Sequence, residues 1–584
     1  MQGELASGAG KRYRSASGSH FRSRLPAPDL PMPRIAPARL LCRLVPLALL
    51  LAACSSRGRS SDMKAMESAH VPPEAMGMVR FVHDDFGGLS GATLETNALP
   101  YKVVATALLM DEEARTGARL GRGELPRIFR RFGFLYPERI GNWSGPPQPR
   151  FGRPMGMVTG MVEGPTPAVR IDAATLGCAS CHAGTTYDAR GFPTGEAWLG
   201  LPNTSLNLEA YTLAVYRGMK RGAGDTDALA RRAAELFPEM GARERFTLRR
   251  LILPRVRKRM AELARGVDAP TPFPNGGAGL TNGVASLKLQ MRLLAGTQMH
   301  PETGFTSIPE LGRRGMRSSL LYDGTFAPTP GGRFAARSGP AGPAHLDSLA
   351  AIVAFFTVPS MGMSPDEAEQ AIPEVRQVLG WLDASYAPPR FPGPVDEAAA
   401  RAGGALFAAR CAGCHGTYDD AVRPRRLVSF PNRLVPQDGM GTDPARWRAI
   451  DDRLVASLSG TAYARHVDAR RTGGYVAPIL SGLWATAPYL HNGSVPTLWQ
   501  LMTPAERPAR FLVGGHRLDF AAVGIAGAAD SAGVVRYPAG YSPWSEPELY
   551  DTRMPGRSNR GHEREFAGLA DAEKRALIEY LKGL

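Results

Sequence analysis

The chain has 584 residues, 43% of them hydrophobic and 21% charged, which suffices for two to four ordinary domains with cores of their own. Its formal net charge of +16 is partly terminal: residues 1–53 hold eight Lys and Arg against two Asp and Glu. The rest is spread out, with one dense run at 249–265 that reads as a solvated helix face. No nucleic-acid-binding motif accompanies it, so acidic redox proteins remain the plausible charged partners.

Residues 1–31 are rich in Ser, Arg and Pro, show no apolar period and are expected to lack regular structure, which makes Met32 an alternative start. Arg34, Arg39 and Arg43 precede an apolar run at 44–53. That run is about half the ~20 residues needed to span a bilayer, so it suits the core of a signal peptide. It ends Leu51-Ala52-Ala53-Cys54, which resembles a bacterial lipobox. The resemblance implies cleavage before Cys54, a lipid on that cysteine and, with Ser55 and Ser56 following, the outer membrane on its periplasmic side; an ordinary Ala-x-Ala cut is the alternative. Residues 54–75 are expected to be a tether.

Helical patterns are expected at 98–114, 208–218, 227–237, 246–265 with a break at Pro254, 346–357 and 365–382. Between them 141–167 and 195–207 read as loops, and the Gly- and Pro-rich stretch 266–345 as chain that wraps around other parts. Residues 388–394 read as a linker between an N-terminal domain, 76–390, and a C-terminal one, 391–584.

Each domain carries the same pentad. Cys178-Ala-Ser-Cys181-His182 and Cys411-Ala-Gly-Cys414-His415 are c-type haem attachment sites by spacing. Two thiols on one helical turn reach the two vinyl groups of a haem, and the adjacent imidazole meets the iron from one face. A zinc knuckle would need a further ligand pair nearby, and the other two cysteines, Cys42 and Cys54, lie in the leader. Two covalently bound haems c are therefore expected. In the C-terminal domain Asp396 can cap a helix that places Gly403 and Phe407 on one face. A last helix from about Asp571 carries Leu577, Tyr580, Leu581 and Leu584. This resembles the cytochrome c fold, whose first and last helices cross at a Gly and an aromatic pair. The fold class expected is mostly α, with two c-type cytochrome domains, the N-terminal one enlarged by long loops and extra helices.

Between those helices, Ala487-Pro488-Tyr489-Leu490-His491-Asn492-Gly493-Ser494 resembles a motif of the bacterial di-haem cytochrome c peroxidase and MauG superfamily. The Asn-Gly-Ser-Val-Pro form and the tail Pro555-Gly-Arg-Ser-Asn-Arg-Gly-His562 resemble its RoxA-like, rubber-oxygenase branch. The resemblance implies catalysis at the haem on His182 and electron relay at the haem on His415. His562 leads the candidates for the second ligand of the relay haem, ahead of Met502, His491 and Met440; Tyr489 and His491 are motif residues beside it. At the first haem, Trp198 stands near the point where peroxidases carry a second His. No His follows His182 until His300, so an open iron is implied, with His300 or His345 the alternative ligands. Pro238-Glu239-Met240-Gly241 resembles the peroxidase segment that carries a catalytic acid/base, and Asn203 with the carbonyls of Thr486 and Pro488 matches the family's calcium site.

Three functions fit. One is a peroxidase reducing H2O2 with electrons from a small periplasmic cytochrome or copper protein. Another is a RoxA-like dioxygenase that uses O2 to cleave a large hydrophobic alkene, with 266–345, including Phe305 and Phe326, framing a channel. The third is a membrane-anchored electron carrier, against which the size of the N-terminal domain argues.

Overall fold

The computed structural model describes residues 60–584 apart from 69–70, 91–92, 94–97, 164–168, 266–272, 330 and 361–364. The leader, the lipobox-like stretch and Cys54 lie outside the described residues. Residues 61–68, expected within a tether, instead form a helix, Ser61–Ser68. Its Met63 is buried, and the buried Ser60 hydroxyl both accepts from Met63 N at 2.9 Å and donates to His83 O at 2.6 Å.

Helices supply the frame, and their starts follow local chemistry. Asn207 accepts from Ala210 N at 2.8 Å to open the helix Leu208–Gly224, and Asp225 accepts from Ala228 N at 2.8 Å to open Thr226–Leu236. Tyr101–Thr116 ends at Gly117 with φ of 72°, a left-handed position that glycine fills without strain. The break expected near Pro254 is a π-helical turn, Leu248–Ile252, leading into Leu253–Arg265: proline has no N–H to give and its ring crowds the preceding turn. Pro365–Gln370 and Ile372–Ala384 likewise replace one expected helix, with Pro373 in the first turn of the second.

Strands are more numerous than the sequence suggested, though short. Met157–Glu163 pairs antiparallel with Arg170–Leu176, and Ala183–Tyr187 with Pro193–Leu199, so both stretches read as loops contain strands. Their Val, Ile, Thr, Tyr and Trp residues favour the pleat, and the glycines that mark loops are carried within it. The result is a mixed helix-and-strand fold.

Two crossings organise the packing. The helix Glu397–Arg410, capped by Asp396 through Ala398 N and Ala399 N, lies against Asp571–Leu581. A Cβ on Gly403 would fall on the Ala576 carbonyl oxygen, and the Phe407 and Tyr580 rings meet 5.1 Å apart. The same device recurs 326 positions earlier. The helix Pro73–His83 lies against Ile372–Ala384; a Cβ on Gly77 would fall on the Gln377 carbonyl oxygen, and Phe81 meets Trp381 at 5.5 Å. Gly77 and Phe81 are four apart, as Gly403 and Phe407 are.

The stretch 266–345 does wrap around. Phe326–Pro328 pairs with Val467–Ala469, and Arg337–Ser338 with Arg426–Phe430, across the boundary drawn at 390/391. The described residues accordingly form one compact unit. Among the described residues no helix is long and apolar enough to cross a membrane.

Candidate functional site

Cys178–Cys181 forms a single helical turn at the end of the Arg170–Leu176 strand, with Gly156 packed so closely that a Cβ there would strike the Ser180 amide. Burial pushes both thiols up to about 12, which keeps them neutral. His182 Nδ1 donates to the carbonyl of Pro309 at 2.9 Å. A carbonyl can only accept, so the proton sits on Nδ1 and the Nε2 lone pair is free for a metal. Burial holds this imidazole down at about 4, neutral and ready to ligate.

These residues open onto a cavity of about 1270 Å3. Its walls are largely apolar, with Val215, Met219, Ile252, Phe326, Ile352 and Leu379 among them, and His182 is the histidine that lines it among the described residues. His300 is exposed, and His345 Nε2 is engaged with the Arg317 carbonyl at 2.8 Å; neither reaches the cavity wall. Of the two phenylalanines expected to frame a channel, Phe326 lines the cavity, whereas Phe305 packs in the C-terminal core beneath Arg557. Trp198 bridges two cores and donates its Nε1 to Ala387 O at 3.0 Å.

The second motif repeats the arrangement. His415 Nδ1 donates to the carbonyl of Pro478 at 2.9 Å, again freeing Nε2, and burial holds the ring at about 4. Across from it stands His562, with ring centres 6.3 Å apart and planes 30° from parallel. Two imidazoles sharing one metal, at about 2 Å per metal–nitrogen bond, stand about 6 Å apart in this way. His562 Nδ1 is buried without a hydrogen-bond partner. The other candidate ligands are placed differently. Met502 is buried in the apolar core, and Met440 ends the short helix Gln437–Met440. His491 stacks on Tyr475 at 4.3 Å with its Nδ1 3.4 Å from Thr442 Oγ1, while the Tyr489 hydroxyl donates to Val523 O at 3.3 Å.

The two proximal prolines belong to duplicated loops that sequence reading missed. Pro309-Glu-Leu311 and Pro478-Ile-Leu480 each lead into a 3₁₀ turn, Arg314–Met316 and Leu483–Ala485. Each loop then closes with a left-handed leucine, φ 67° at both Leu321 and Leu490, and a bridge, Leu320–Phe326 or Tyr489–Val495. Tyr322 thereby occupies the place of His491. The signal was an internal repeat, Leu-Leu-Tyr-Asp-Gly-Thr against Tyr-Leu-His-Asn-Gly-Ser, whose first copy lacks the histidine that draws attention to the second.

Other expected site residues stand apart from the cavity. Glu239 is 53% exposed and ion-paired with Arg122 at 2.7 Å. It is not among the lining residues: the Pro238–Gly241 turn that follows the helix Thr226–Leu236 buries Met240 and leaves Glu239 to solvent. Asn203 is committed to the protein: Oδ1 accepts from Ser205 N at 3.2 Å and Nδ2 donates to Gly133 O at 2.9 Å. The Thr486 hydroxyl donates to Leu483 O at 2.8 Å, and Pro488 follows a cis peptide bond. Among the described residues no cluster of three or more His, Cys, Asp or Glu gathers as a metal site.

Comparison with known proteins bears on the second site. Residues 474–512, which include Pro478, Tyr489, His491 and Met502, match the family described as RoxA-like, cytochrome c-like. The chain is also similar to two proteins of Sinorhizobium fredii (strain NBRC 101917 / NGR234), both named as uncharacterized. It is 36% identical to protein y4iM over 234 residues, 35% of this chain and 52% of that one. It is 29% identical to protein y4iJ over 263 residues, 34% of this chain and 41% of that one, so it spans about half the length of these relatives or less. The loop that orients His415 therefore lies in the segment similar to the RoxA-like, cytochrome c-like family, which supports covalently bound haem and a haem-dependent oxidoreductase.

Proposed function

We propose that the protein is an exported di-haem oxidoreductase that cleaves an alkene in a large apolar substrate with dioxygen; Cys178, Cys181 and His182 would hold the haem that supplies this chemistry. Cys411, Cys414, His415 and His562 would hold a second haem, which would supply electron relay. The observation that carries this reading is the cavity at the first motif. At about 1270 Å3 it exceeds the ~300–1000 Å3 of an ordinary small-molecule pocket, and its apolar walls suit a cofactor together with a hydrophobic guest. Bound haem supplies an iron that exchanges single electrons and takes a small oxidant where a face is left open. The chain's own part would be to orient His182 through Pro309, to bring no other histidine of the described residues to the cavity wall, and to keep water out with aliphatic and aromatic walls.

The relay arrangement favours a second reading, peroxide reduction. Reducing H2O2 to two waters takes two electrons and two protons, so an electron path from a small cytochrome or cupredoxin has a purpose there. Adding both atoms of O2 across a double bond consumes no net electrons. The lipobox-like sequence supports anchoring through Cys54 to the outer membrane, facing the periplasm.

One experiment separates the readings. The holoprotein is incubated with a polyisoprenoid under 18O2, and separately with H2O2 and a reduced small cytochrome. Carbonyl products carrying 18O support the dioxygenase. Cytochrome oxidation that tracks H2O2 loss, with no labelled product, replaces it by the peroxidase. Neither product nor turnover leaves the electron carrier.

A further inference from the structure

The polar end of the first cavity carries more positive charge than the protein answers. Arg314, Arg317, Tyr322 and Arg446 line it together. Arg317 is 2% exposed and donates to backbone carbonyls: Nε to Ser319 and Nη1 to Ala477, both at 3.1 Å, and Nη2 to Leu321 at 3.0 Å. Arg314 donates through Nη2 to the Glu310 carbonyl. The Glu310 carboxyl, pushed up by burial to about 8, is mostly uncharged at neutral pH. Arg446, also 2% exposed, has the buried carboxylate of Asp323 3.0 Å from its Nε. Two buried carboxyls thus stand among three guanidiniums: Asp323 beside Arg446, and Glu310, which burial holds toward its neutral form, beside Arg314.

A guanidinium has five N–H donors, and Arg317 uses three of them on the bonds above. Buried cations short of counter-ions are strongly destabilising, so this wall is complete only with further negative charge. The loop itself does not demand the arginines. In the duplicated copy the positions of Arg314 and Arg317 are held by Leu483 and Thr486. The charge belongs to the first cavity.

The geometry points to a dicarboxylate cradle: Arg314, Arg317 and Arg446 receive the two propionates of the haem attached at Cys178 and Cys181. This rests on the reading that a haem is held at that motif. The Tyr322 hydroxyl, 3.0 Å from Ser307 Oγ, adds a neutral partner at the same end. Because the thioethers hold the macrocycle independently, weakening the cradle leaves the haem in place while changing its electrostatics.

The test is a redox titration of holoprotein variants, with haem counted per chain and the propionate-bending band read by resonance Raman. Arg317→Gln and Arg314→Gln are each expected to keep two haems, to shift the propionate band, and to move the first haem at least tenfold toward the ferric form, about 59 mV for one electron. Arg314 is only half-buried, so its variant carries the test if Arg317→Gln fails to fold. A potential unchanged within twofold and an unmoved band in a folded variant overturn the cradle. So does a saturable response of the wild-type potential to acetate or sulfate with the band unmoved in the variants, which would assign the site to a free anion. A wild-type chain with one haem, held at the second motif, removes instead the reading beneath it.

Discussion

The imidazoles of His415 and His562 face each other with ring centres 6.3 Å apart, although 147 positions separate them in sequence. His562 sits at φ 66°, a left-handed conformation uncommon for a side chain larger than Asn, at the start of the helix Glu563–Phe566. The strained backbone is consistent with a ring held in place for a metal. His562→Ala is expected to convert the second haem from low-spin six-coordinate to high-spin, seen in the electronic and EPR spectra. His562→Met is expected to keep it six-coordinate and raise its potential. Met502→Ala, in the apolar core, is expected to leave the spectrum alone. A spectrum that answers to Met502 and ignores His562 reverses the assignment.

The helix crossings make a stability prediction. At Gly403 and at Gly77 an added Cβ meets a backbone carbonyl of the opposing helix, which no rotamer change relieves. Gly403→Val and Gly77→Val are each expected to cost at least about 3 kcal/mol, since the helices must separate. Gly404→Ala is the control. Its Cβ meets the Tyr580 ring at 3.1 Å, and the helix gain of alanine over glycine, up to about 1 kcal/mol, offsets the squeeze. Chemical denaturation followed by haem absorbance reads all three; equal losses for Gly403→Val and Gly404→Ala would discount the crossing.

What the sequence revealed follows the range of the interactions. The two Cys-x-x-Cys-His turns, the Asp396 cap and the Gly403–Phe407 face are each set within a few residues, and the helices that carry them stand where local pattern placed them. Gly77 and Phe81 carry the same signature. It went unread because 96 residues separate Phe81 from Cys178, whereas three separate Phe407 from Cys411. Pro309 was invisible for a different reason: its role is a carbonyl, which every residue has, and only the fold brings that carbonyl to His182. Glu239 shows the converse. A four-residue likeness marked it, yet whether a helix-end side chain meets a cavity or solvent depends on what packs beside it.

Glu310 gives a pH prediction. Burial raises its carboxyl from an ordinary 4.5 to about 8. The folded state therefore prefers the protonated form. That contribution to stability is fully present below about pH 4.5 and is lost as pH rises through about 8. Glutamine keeps an acceptor for Gly312 N without the charge. Relative to wild type, Glu310→Gln is expected to gain stability with rising pH, by up to about 1.4 kcal/mol per pH unit between these limits. Melting temperatures of both proteins across pH 5–9 test this; parallel curves would show that Glu310 does not titrate in that window.

Glu239 decides how far the peroxidase likeness extends. A general acid must come within hydrogen-bond reach of the reacting oxygen, directly or through one water, and removing one typically costs 10²- to 10⁴-fold in rate. Glu239 is 53% exposed, paired with an equally exposed Arg122, and absent from the walls of the first cavity. Glu239→Gln removes a surface ion pair worth less than about 1 kcal/mol and is expected to leave peroxide consumption by the holoprotein within twofold of wild type. Arg122→Gln is expected to match it. A hundredfold loss in the glutamate variant alone, with haem content and melting temperature intact, would require Glu239 to reach the first haem during turnover and would favour the peroxidase over the dioxygenase.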